Sequence, residues 1–156
     1  MGITTIVPAV SQRALCIPDL GPRKRDAALQ LMLAHARASG ALREADSVFD
    51  ALLLRERLGS TGVGKGVAVP NARALAVLDS RWVLARSERG IDWNSPDGLP
   101  AHLVLLVLSA PETPVIAHVE SVARAMTLTR LARARARLLE ARGAEEMAAI
   151  VQQVLP

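Results

Sequence analysis

Aromatic residues are almost missing: there is no tyrosine, and Phe49, Trp82 and Trp93 are the whole complement of Phe, Tyr and Trp. Three rings are too few for the stacking platform that holds single-stranded nucleic acid. The single cysteine, Cys16, has no partner for an internal disulfide, which fits a reducing cytoplasm, and it is read as a small core residue. No apolar run approaches the roughly 18 residues that a membrane span needs. The opening MGITTIVPAVSQR lacks the basic stretch and apolar block of a secretory signal. Charge of one sign is also modest, with 19 Lys and Arg against 15 Asp and Glu and a net charge of +4. The densest basic stretch holds Arg130, Arg133, Arg135 and Arg137, but helical spacing turns them to more than one face, with Glu140 and Glu145 nearby. It reads as a solvated helix, so no nucleic acid partner is expected. Neither a metal nor a cofactor is expected.

What is present is a core. The 156 residues are 51% hydrophobic and 22% charged, enough for one domain, 1–156, that needs neither disulfides nor metal. A short strand is expected over 14–17. Gly21-Pro22 then opens a helix whose inner stripe is Ala28, Leu31, Met32 and a half-buried His35, and Gly40 closes it. A second helix, capped by Asp46 or Ser47, buries Val48, Phe49, Leu52 and Leu53 and runs through Arg55-Glu56 to Gly59. A glycine-rich loop at 59–66 leads into a strand at 67–70, and further strands are expected over 74–78 and 82–85. Ser95-Pro96-Asp97-Gly98 is a turn. The near-continuous apolar run at 102–110 suits a central strand buried on both faces, with a structural role for His102 at its start. Thr113-Pro114 caps a helix from Val115, and helices are expected over 115–128, 130–141 and 144–154. Helices before and after a block of strands imply a three-layer α/β/α sandwich.

Gly59 to Lys65, GSTGVGK, fits most of the phosphate-loop pattern but has Gly66 where a Ser or Thr must hold magnesium. The context is also reversed: the loop follows a helix and enters a strand, whereas a phosphate loop follows a strand and opens a helix. Nucleotide binding is therefore not expected.

Arg55-Glu56 followed by GSTGVGKGVAVPNAR resembles the RE…GSTGIGNGIAIPHGR signature of enzyme IIA domains of the phosphoenolpyruvate-dependent sugar phosphotransferase system, in the fructose, mannitol and nitrogen-regulatory branch. GIDWNSPDGLPAHLVLLVLSAP, the later AHVESVARAMTLTRLARARARLLEARGAEEMAAIV and the earlier IPDLGPRKRDAALQLM resemble further stretches of that family, so the likeness covers about residues 15–154. The resemblance implies a mixed sheet between helical layers. It also implies a histidine that accepts a phosphoryl group from the phosphocarrier protein and passes it to a cysteine of an enzyme IIB domain. By position, Arg55 matches the family's conserved arginine, His118 its second histidine and Arg73 the basic residue after its IPHG; Thr61 and Gly62 fall in the loop expected to meet phosphate or a partner.

Asn71 stands where the resemblance puts the acceptor histidine. An amide nitrogen has its lone pair delocalised into the carbonyl and is no useful nucleophile, so the phosphohistidine route is closed at that residue. Two readings of Asn71 stand. Either it mimics the unphosphorylated histidine and locks one signalling state, or the site has drifted and Asn71 only ends a strand after Pro70. Three functions follow. The first is a phosphorylation-deficient regulatory module that docks the phosphocarrier protein, an enzyme IIB-like protein, or a regulated transporter or kinase; the absence of an attached IIB or membrane domain points to the nitrogen-regulatory type. The second is an active phosphocarrier that uses His118. The third is a small-anion or ligand sensor that exploits the glycine loop, Arg55 and Arg73, with a cytoplasmic location in every case.

Overall fold

The structure, a computed structural model, describes residues 14–155. The opening segment read for a signal, residues 1–13, lies outside the described residues. The elements run β1 (Leu15–Ile17), α1 (Arg25–Ala38), α2 (Asp46–Leu58), β2 (Gly62–Gly64), β3 (Val67–Ala68), β4 (Asn71–Arg73), β5 (Arg81–Ile91), β6 (Ala101–Ser109), α3 (Val115–Met126), a 3-10 turn (Thr127–Thr129), α4 (Ala132–Glu140) and α5 (Ala144–Val154). The strands form one sheet in the order β1-β5-β6-β3-β2, with β4 also paired to β6. β5 and β6 are antiparallel, whereas β3 and β4 run parallel to β6, so the sheet is mixed.

Alternation along the strands divides the interior into two cores. Val83 and Ala85 of β5, with Val104, Leu106 and Leu108 of β6, meet Leu29, Met32 and Leu33 of α1 and Val48 and Leu52 of α2. Trp82 and Leu84, with Leu103, Leu105 and Val107, meet Ala125, Leu128, Leu138, Met147, Ile150 and Val151 from the C-terminal helices. Helices therefore cover both faces of the sheet, the three-layer arrangement expected. Among the described residues no helix is long and apolar enough to cross a membrane.

Several boundaries differ from expectation. Residues 74–78 are not a strand. Val77 N–H bonds back to the Ala74 carbonyl at 3.1 Å, which closes a turn, and among the described residues Val77 forms no more than an isolated bridge to Leu42. The strand expected at 82–85 extends to Ile91, because a register shift between Arg86 and Ile91 carries the pairing past the polar residues that hide it in the sequence. Residues 20–24 do not begin α1: Leu20 N–H bonds to Arg86 O at 2.9 Å and Asp92 N–H to Arg23 O at 3.0 Å, which ties this stretch to β5. On α1 itself the buried face is Ala28, Leu29, Met32, Leu33 and Ala36, while Leu31 is 42% exposed and His35 also faces out. Neither Asp46 nor Ser47 caps α2. The N-cap is Ala45, and the Glu44 carboxylate accepts the Ser47 N–H at 3.0 Å as well as its hydroxyl. Thr113 likewise does not cap α3; its hydroxyl pairs with that of Ser80 at 3.0 Å, and Pro114 is the N-cap.

One cation fastens the sheet to its C-terminal layer. Arg86 Nε donates to Pro18 O at 3.1 Å, and Nη1 sits among the carbonyls of Leu138 (2.9 Å), Leu139 (3.2 Å) and Ala141 (2.6 Å). These carbonyls lie at the C-terminal end of α4, where the helix dipole favours positive charge. Replacing Arg86 by Met keeps the stem but removes the donor that these carbonyls share. The expected loss is about 2 kcal/mol, read by thermal circular dichroism as a fall in Tm of roughly 4–8 °C.

Candidate functional site

Pro70 offers no N–H to a ladder, so it interrupts a strand. Here it divides β3 from β4 without changing the register. Val67 and Ala68 pair with Leu103 and Val104 before it, and Asn71, Ala72 and Arg73 pair with Val107, Leu108 and Ser109 after it. The Pro70 carbonyl still accepts the Val107 N–H at 2.9 Å. Asn71 therefore begins a resumed strand, not the end of one, and parallel pairing puts it on the face of Val107, toward α3.

The chain leaves β6 at Ser109 and returns as α3, which sets His118 over the strand end. His118 Nδ1 lies 2.7 Å from Ser109 Oγ, and Nε2 lies 3.2 Å from Asn71 Oδ1. Asn71 Nδ2 donates to the Val69 carbonyl at 3.2 Å. Burial, and then the positive charge of Arg73, hold the His118 imidazole below its ordinary value of 6.5. Trp82 helps to fix the helix: its indole N–H donates to Ser121 Oγ of α3 at 2.9 Å.

The two arginines have internal partners. Arg73 Nε donates to Thr113 O and Nη2 to Pro111 O, each at 2.8 Å, so Arg73 holds the loop that leads into α3. Arg55 Nη1 donates to Gly59 O at 2.9 Å at the end of α2, where a cation complements the dipole. That bond links Arg55 to its own helix end and not to Asn71 or His118.

Thr61 and Gly62 are buried beneath this surface. Thr61 Oγ1 pairs with Glu56 Oε1 and also accepts the Trp93 indole N–H at 2.9 Å, and Thr61 N–H donates to Glu56 Oε2 at 3.1 Å. Arg25 lies 3.7 Å from the same carboxylate. The Thr61 carbonyl in turn accepts Val69 N–H at 2.9 Å, so Thr61 reaches Asn71 only through Val69. The glycine loop is a hairpin. Gly64 has φ 88° and Gly66 φ 77°, and the Lys65 N–H is taken by Asp97 Oδ2 at 2.8 Å. That geometry leaves no amide cradle for a nucleotide phosphate. Of the remaining candidates, His102 is structural, with Nδ1 2.8 Å from Ser87 O. Cys16 is half-buried against the second core, and burial pushes its thiol up to about 11.

A family model described as "Phosphoenolpyruvate-dependent sugar phosphotransferase system, EIIA 2" matches residues 12–154. The chain belongs to that family. A nitrogen regulatory protein of Bradyrhizobium diazoefficiens is 39% identical over 114 residues, which cover 73% of each chain. The fructose-specific EIIABC component of Bacillus subtilis is 32% identical over 135 residues, 86% of this chain but only 21% of that longer protein. Among solved structures, the nitrogen regulatory protein IIA-Ntr of Neisseria meningitidis is similar with a TM-score of 0.78 and 26% identity, covering 91% of this chain and 94% of the other. The mixed sheet with helices on both sides is thus the fold of an EIIA domain.

Sequence reasoning named His118 and Asn71 but missed the residues that orient them in this EIIA chain. Ser109 had a signal: it is the polar residue that ends the apolar run of β6. Glu56 also had one, as a carboxylate beside Arg55, yet only the fold shows it 8% exposed beneath the loop. The Val69 carbonyl had none, because a backbone group carries no mark in the sequence.

Two outcomes check this site. Because the folded pKa of His118 is depressed, the unfolded chain binds that proton first as pH falls, so stability drops from about pH 6.5 downward until the folded imidazole is also charged. An NMR titration in which His118 titrates at or above 6.5 contradicts the geometry. In the loop, a Cβ added at Gly62 meets Ser95 Cβ at 3.0 Å and its Cα at 3.1 Å. Gly62→Ala is expected to cost about 1–3 kcal/mol in urea unfolding, and Ser95→Gly in the same chain should recover part of it.

Proposed function

We propose that this chain is an enzyme IIA-like protein of the nitrogen-regulatory and fructose type that carries no phosphoryl group and acts as a regulatory protein-binding module. The observation that supports this reading most strongly is the polarity of Asn71. Its Nδ2–H donates to Val69 O, and its Oδ1 faces His118 Nε2. A neutral histidine at the same position would likewise offer one N–H donor and one lone-pair acceptor. Asn71 thus offers the donor and acceptor count of a neutral histidine without a nucleophilic nitrogen.

A partner that recognises the unphosphorylated surface would meet that surface at all times. Around His118, helix α3 exposes Val115, Ile116 and Val119, and the turn after β4 exposes Leu75. These apolar side chains suit a protein partner: the phosphocarrier protein, an enzyme IIB-like protein, or a regulated transporter or kinase in the cytoplasm. The anion-sensor reading is weaker, because Arg55 and Arg73 already donate to the carbonyls of Gly59, Pro111 and Thr113.

The test is intact-mass spectrometry after incubation with phosphoenolpyruvate, enzyme I and the phosphocarrier protein. The wild type is expected to gain no mass and Asn71→His to gain one phosphoryl group. A phosphorylated wild type that loses the label in His118→Ala overturns the regulatory reading in favour of a working phosphocarrier.

A further inference from the structure

The hydrogen bonds around His118 have a direction that can be read from one end. A backbone carbonyl can only accept, so the group that Asn71 turns to Val69 O is its amide NH2. Oδ1 must then face His118 Nε2, and an amide oxygen can only accept, so Nε2 carries a proton. Burial and Arg73 keep the ring neutral, which leaves Nδ1 as the bare nitrogen. Ser109 Oγ, 2.7 Å away, is therefore the donor to Nδ1. The chain of donors runs Ser109 to His118 to Asn71 to Val69.

We propose that Ser109 and Asn71 clamp His118 as the Nε2–H imidazole and that Ser109 occupies its only lone pair, so that Ser109 is the positioning residue that denies His118 a nucleophilic or ligand role. A Ser–His–Asn line of this polarity resembles the relay of an acyl-transfer enzyme. Ser109 is only 3% exposed, however, so its own hydroxyl meets no substrate. What remains of the relay is the clamp. The nitrogen that faces Asn71 offers a proton, and the nitrogen with a lone pair points into the protein. The inference concerns the same site as the proposed function and rests on that reading only for its biological meaning.

The full chain, labelled with nitrogen-15, tests it without any partner. Long-range proton–nitrogen NMR of the wild type above the His118 titration is expected to show a pyrrole-like Nε2 and a pyridine-like Nδ1. Asn71→Ala removes the acceptor for Nε2–H. The Ser109 hydroxyl can accept as well as donate, so the ring should switch to the Nδ1–H form. Ser109→Ala should keep the Nε2–H form but uncover Nδ1. The Nδ1 nitrogen resonance should then move downfield, toward the value of a pyridine-like nitrogen with no donor, while Ser109→Thr, which retains the hydroxyl, keeps the wild-type position. An Nδ1–H ring in the wild type, or an unchanged tautomer in Asn71→Ala, overturns the clamp. So does an Nδ1 resonance that is the same in wild type and Ser109→Ala. None of these arms involves phosphoryl transfer, so their failure leaves the phosphorylation test standing, whereas phosphate found on His118 overturns the clamp and the regulatory reading together.

Discussion

The parallel register of β4 on β6 is the constraint on which the rest depends. β6 is buried on both faces and paired on both edges, so its neighbours cannot slip without moving apolar residues from one core to the other. That register sets Asn71 beside Val107 and Arg73 beside Ser109. Because α3 follows β6 after a short loop, His118 falls back onto the same strand end, and Arg73 ties the loop by two carbonyl contacts. Three side chains from three elements meet without any of them being adjacent in sequence.

A second constraint lies under the glycine hairpin. The Glu56 carboxylate is buried and offsets the cost of desolvation by accepting from Thr61 and Trp93 and by facing Arg25. This joins the end of α2, the hairpin and the tryptophan after β5 into one unit. Its influence reaches the site along the backbone: Thr61 holds Val69, and Val69 sets the direction of the Asn71 amide. The glycines serve close packing against Ser95 and Asp97 and the positive φ of a tight hairpin, which accounts for a phosphate-loop likeness without a phosphate-loop geometry.

Fold and chemistry separate cleanly in this EIIA chain. The cores and the Glu56 network do not involve the Asn71 side chain. The Asn71 amide is held by one donor and one acceptor contact, to Val69 O and His118 Nε2, that leave the rest of the fold untouched. This is why membership of the family is secure while the function rests on one side chain and its neighbours.

The layers, the two-sided central strand and the last helix were legible in the sequence, because apolar periodicity reports directly on which faces must be buried. The family signature led to Asn71 and His118 by position. The turn at 74–78 and the length of β5 were not legible. Local apolar content does not say whether a hydrogen-bond partner lies within the segment or across a sheet, and a register shift lets polar residues stay paired. His35 and Leu31 face out where a stripe pointed them inward, since the apolar face that α1 buries is centred on Leu29, Met32, Leu33 and Ala36. The sequence by itself determined what Asn71 is unable to do, because the delocalised amide is a property of the residue. Only the tertiary structure decided which way that amide points and which nitrogen of His118 keeps the proton, because both depend on the carbonyl of Val69 and the hydroxyl of Ser109, brought there by strand register and helix return.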